Sequence, residues 1–149
     1  MRRLVTGAAL AASLLLVAGC GESGEEHDAE FGAAADTNTC VKDAQQVSSY
    51  PDGFPAHFPF PSRTVVFNAQ DRHEDGVVVT GVTSMPFKQV LASLNGPAQR
   101  AGFKVTNGET EEHDAEANWV GNGYRGRWAI RESGSCPGET VVQVLSTKS

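Results

Sequence analysis

From Thr64 onward the apolar residues alternate with polar or small ones in short runs, the period of half-buried strands. Val65, Phe67 and Ala69 predict a strand over Thr64 to Ala69, with those three on one face. Asp75-Gly76 is a turn signal, and the β-branched run Val77 to Thr83 predicts the second arm of a hairpin. The period then changes. Phe87, Val90, Leu91, Leu94, Ala98 and Ala101 follow helical spacing straight through Asn95-Gly96-Pro97. Proline lacks the amide donor and clashes one turn back, so one kinked helix is expected over Pro86 to Ala101. Ser84 is its candidate cap and Gly102 its C′ residue.

Alternation resumes at Phe103 to Thr106. Glu109 to Glu116 is acidic and poor in apolar residues, so it reads as a loop or an exposed strand end. Asn118 to Val120 predicts a fourth strand, Gly121-Asn122-Gly123 a hairpin turn, and Tyr124 to Arg131 a fifth strand. On the fifth strand Tyr124, Gly126, Trp128 and Ile130 share one face, and Arg125, Arg127 and Arg131 share the other. Val141 to Ser146 completes the set. The expected fold is α+β: about six antiparallel strands (two strands, one kinked helix, four strands), the helix packed on one face. Trp128 and Ile130 should lie beneath it with Leu91 and Leu94. The opposite face should be partly wet.

The N-terminal region carries neither period. Arg2 and Arg3 precede a charge-free run from Leu4 to Val17, followed by the small residues Ala18 and Gly19. That is the pattern of a secretory signal peptide, too short to span a bilayer comfortably, since a spanning helix needs about 20 residues. Gly21 to Thr39 has six acids, no base and one large apolar residue, Phe31. Such a segment buries too little apolar area to offset its ordering entropy, so a disordered tether is expected. Tyr50 to Pro61 contains four aromatic–proline pairs, which disfavour helix. It is expected as an extended arm whose aromatics fill the edge of the domain.

Val17-Ala18-Gly19-Cys20 resembles the lipobox of bacterial lipoproteins. The resemblance implies cleavage before Cys20 and a diacylglyceryl group on its thiol. At about 0.8 kcal/mol per buried CH₂, two chains anchor stably where one is marginal. The expected organisation is a signal peptide over 1–19, a lipidated cysteine and acidic tether over 20–39, and one domain over 40–149. The element order and Pro-rich entry also resemble small lipoproteins of actinobacteria, a likeness that implies no activity. The expected location is the extracytoplasmic face of the cell membrane.

Loss of Arg2 and Arg3 takes the net charge of −6 to −8. A net acidic chain without a basic cluster argues against nucleic acid, whose phosphates need Lys and Arg contacts. With Cys20 acylated, Cys40 and Cys136 remain as an even pair in an oxidising compartment, and a disulfide is expected.

One six-residue segment occurs twice. Glu25-Glu26-His27-Asp28-Ala29-Glu30 recurs as Glu111-Glu112-His113-Asp114-Ala115-Glu116. Imidazole among carboxylates offers ligands for a divalent first-row metal, so His27, His113, Asp114 and Glu112 are the candidate metal residues. The competing reading is two solvated acidic stretches. Arg125, Arg127 and Arg131 are a candidate anion or partner face, with pairing to acids on neighbouring strands as the plainer alternative. No nucleophile elbow, phosphate loop or metalloprotease motif occurs, and no resident cofactor is implied. Gly121 to Gly126 spells GxGxxG but lies in a hairpin rather than a strand-to-helix turn. The function expected is therefore a lipid-anchored binding or interaction domain, meeting an envelope protein or a small ligand, and not an enzyme. A metal-binding or metal-responsive lipoprotein and a small envelope hydrolase are the alternatives.

Overall fold

The computed structural model describes residues 38–149. The leader, Cys20, His27 and the tether up to residue 37 lie outside the described residues. The elements are β1 (Thr64–Asp71), β2 (Val77–Thr83), α1 (Phe87–Ser93), β3 (Lys104–Thr110), β4 (Asp114–Gly121), β5 (Tyr124–Glu132) and β6 (Thr140–Lys148). The strands form one six-stranded sheet in the order β1-β2-β6-β5-β4-β3. All five pairings are antiparallel. With one helix on this sheet the fold is α+β. Among the described residues no helix is long and apolar enough to cross a membrane.

The core lies on one face of the sheet. Val79 of β2, Val142 and Val144 of β6, and Trp128 and Ile130 of β5 pack there with Val90 and Leu94 from the helix. Leu91 packs against this group partly buried. The aromatic arm completes the cover. Phe54 and Phe58 are buried, and Phe58 stands 5.2 Å from Phe103 and 5.4 Å from Trp119, ring centre to ring centre. Aromatic pairs at such spacing stabilise beyond their area, by about 0.5–1.5 kcal/mol each. Ser146 Oγ donates to the Gly53 carbonyl at 3.1 Å and pins the arm to β6.

Several expectations need correction. The bulge between Val66 and Asn68 shifts the alternation of β1 by one residue. Val66, not Val65, is therefore the buried residue that joins the core. Helix α1 has Pro86 as its N-cap, with no side-chain cap, so Ser84 does not fill that role. The chain absorbs Pro97 through a π-helical turn over Leu94–Ala98 rather than a simple kink. Gly102, at φ 94°, closes the helical stretch as expected. The acidic stretch Glu109 to Glu116 holds both of its expected forms, a strand end and a loop: β3 reaches Thr110, β4 begins at Asp114, and a short turn joins them. The wet face is narrower than expected, because Val78, Val82 and Val141 on the second face of the central strands are also buried.

Cys40 and Cys136 form a disulfide, with Cα atoms 5.7 Å apart and a sequence separation of 96. Beside it, the Val41 amide donates to Glu139 Oε2 at 2.8 Å. Together these tie the start of the domain to the β5–β6 turn.

Candidate binding face on strands β3 to β5

The Gly121-Asn122-Gly123 turn sets the register of the candidate site. Asn122 and Gly123 both take positive φ, 53° and 81°, the conformation of a tight hairpin turn. That register places Asn118 opposite Arg127, Asp114 opposite Arg131 and Val120 opposite Arg125. Strand alternation then sends Trp128 and Ile130 into the core and the three arginines to the opposite face. Gly126 permits close packing of the same hairpin: a Cβ there would collide with the Leu145 carbonyl oxygen and the Trp119 ring.

On the outer face the arginines meet acids. Arg127 is ion-paired with Glu116. Arg131 Nη2 lies 3.3 Å from Asp114 Oδ2. Arg125 is exposed. One strand further out, Asn107 Oδ1 accepts from Thr106 Oγ1 at 3.1 Å and from Asn118 Nδ2 at 3.2 Å. The surface is thus a lattice of alternating donors and acceptors. Three hollows open on it, of about 200, 450 and 370 Å³. The first two share Glu109 and Glu116, and the last two share Asn118 and Arg127, so they run together as one shallow groove. Two of its carboxylates, Glu116 and Asp114, are held by guanidinium groups. The arrangement suits recognition of a polar partner by many weak hydrogen bonds.

The second copy of the repeated segment forms the β3–β4 turn and the start of β4. His113 Nδ1 lies 2.9 Å from Glu132 Oε2, and its Nε2 lies 3.7 Å from Glu112 Oε1. Asp114 is turned to Arg131 instead. His113, Asp114 and Glu112 are therefore adjacent in sequence but not convergent on one point. The first copy, with His27, is outside the described residues. Among the described residues, the group with three ligand-type atoms close enough for one ion is Cys40, Cys136 and Glu139. Its sulfurs are joined in the disulfide, which leaves no thiolate to ligate.

Sequence reasoning identified the arginines and missed Glu116, Asn118 and Asn107 as their companions. A signal was present. Ala115-Glu116-Ala117-Asn118-Trp119-Val120 alternates strictly, and Ala115, Ala117 and Trp119 are the buried members. Its weak hydrophobicity hid the pattern. No family model, curated protein or solved structure matches the chain.

Proposed function

We propose that this chain is a lipid-anchored binding or interaction domain on the extracytoplasmic side of a bacterial envelope, and that the groove on β3 to β5 is its contact surface. The observation that carries the reading is the continuity of the three hollows over one donor-and-acceptor lattice. The lipobox-like Val17-Ala18-Gly19-Cys20 supplies the anchor, and the leader before it supplies export. A shallow polar surface favours a macromolecular partner over a small buried substrate, since small-ligand sites are mostly apolar and enclosing.

A photocrosslinking residue at Asn118, introduced into the full chain in its native envelope, tests the surface. A defined adduct should form from Asn118 and be lost when Arg127→Glu reverses the neighbouring charge. The same label at Lys88, exposed on the helix, should give none. Equal adducts from both positions, or none from Asn118, would sink the surface assignment. The anchor is checked separately by the mass of the N-terminal peptide, where a wild-type terminus without acyl mass would refute it.

A further inference from the structure

Between the arm and the end of the sheet lies a second recess, open to solvent and bordering the groove at Thr147. Tyr124 and Lys148 are direct partners at the β5–β6 end, and their side chains point to the same face as Trp128 and Val144. Arm residues 48 to 56 border the same hollow. The hollow between is about 540 Å³ and is lined by Tyr50, Tyr124, Asp52, Lys148 and the serines at 48 and 49. A neighbouring hollow of about 300 Å³ is lined by Asp71, His73, Glu74 and Thr147. Asp52, Gly53 and Lys148 line both, so the two hollows form one trough with those residues at its waist.

The trough is held in place. Tyr50 packs on Phe54 at 5.0 Å and Phe60 at 6.2 Å, which orients its ring. Gly53, at φ 102°, is pinned by Ser146. His73, at φ 57°, is fixed by its amide donating to Asp71 Oδ1 at 2.8 Å. Burial pushes the Tyr50 phenol above its ordinary 10.0, so it remains a neutral donor and acceptor across the physiological range.

The lining mixes both signs of charge. Three carboxylates, Asp52, Asp71 and Glu74, oppose an anion. Lys148 at the waist opposes a polycation. Neither Lys148 nor Asp52 is drawn into an ion pair among the described residues. A neutral ligand rich in hydroxyl groups, with an apolar ring face for the tyrosines, meets both signs of charge without repulsion. Its hydroxyls would donate to the carboxylates and accept from the ammonium. From this geometry we infer that the trough is a glycan site for at least two neutral sugar units, one on Tyr50 and Tyr124 and the next beside Asp71 and His73.

The test is an NMR titration of the ¹⁵N-labelled full chain in a zwitterionic, sugar-free detergent. The probes are N,N′-diacetylchitobiose, cellobiose, inorganic phosphate and tetralysine. At least one disaccharide should shift the Gly53, Tyr124 and Ser146 amides and saturate at about millimolar concentration, normal for a shallow site. Replacing Tyr50 risks loosening the arm, so the deciding variants are the exposed Asp52→Ala and Lys148→Ala. Each should weaken sugar binding about tenfold, the loss of one charge-assisted hydrogen bond. Shifts with phosphate alone would mark an anion site, and shifts with tetralysine alone a cationic-peptide site; either overturns the glycan assignment. So would sugar shifts indifferent to both variants, or the absence of any shift. None of these outcomes bears on crosslinking from Asn118, so the two proposals fail independently.

Discussion

Residues of β5 alternate between two environments with different physics. Trp128 and Ile130 face the helix and are almost wholly buried. Arg127 and Arg131, one position away from each, face the groove with 20% and 38% of their side chains exposed. Burial of a large apolar side chain contributes about 1.5–3 kcal/mol. An ion pair exposed to this degree contributes about 0–1 kcal/mol. The covered face therefore holds the sheet together, and the polar face is open to change without unfolding. This division lets one face of a small domain stay polar and open at little cost in stability.

The comparison is broken most severely at Trp119. Its ring packs against Phe58 and Phe103, and it fills the space that Gly126 leaves. Trp119→Ala should cost about 3–5 kcal/mol, the range for a buried aromatic emptied to alanine. Urea unfolding followed by near-ultraviolet circular dichroism measures it. A loss below about 1 kcal/mol would mean that the aromatic arm is not part of the cooperative core.

The disulfide comes next. It closes a loop of nearly the whole domain, and removal of such a bridge typically costs about 2–5 kcal/mol. Cys40→Ser and Cys136→Ser should destabilise equally, and the double variant hardly more than either, because both remove one bond. Thiol labelling of unfolded, unreduced protein should find neither cysteine. Labelling of both would refute the bridge, and unequal single variants would show that one side chain has a role of its own.

Much of this was legible in the chain before any coordinates. Alternation at Tyr124 to Arg131 separated Trp128 and Ile130 from the arginines, because one strand face is buried and period 2 does the rest. Cysteine parity, with the expectation of an oxidising compartment, pointed to the Cys40–Cys136 bond. What stayed hidden depended on partners distant in sequence. Glu109 and Glu116 have little strand propensity, and they are in strands because they are register partners in the β3–β4 hairpin. Phe67 looked like a core residue until the bulge displaced it. The trough at Tyr50 and Tyr124 exists only because the arm docks at Gly53. Proline spacing predicts an extended arm and says nothing of where it lands.

The smallest effect is the most informative about the polar face. Ile130 and Arg131 are consecutive, so mutations at the two compare the faces within one residue of backbone. Ile130→Ala should cost about 2–5 kcal/mol. For Arg131 the measurement is a double-mutant cycle with Asp114→Ala, because the pair is directly cross-strand and each side chain is more than a third exposed. The coupling energy should be about 0.2–1 kcal/mol. It should fall toward zero in 1 M salt, where the Debye length shrinks to about 3 Å. Arg131→Ala alone can cost more than the coupling, since its methylene stem also covers neighbouring surface. That is why the cycle, and not the single variant, reads the ion pair. A coupling well above 1 kcal/mol that survives high salt would mean that Arg131 and Asp114 are structural, and the groove would then be part of what holds the sheet together instead of a surface free to bind.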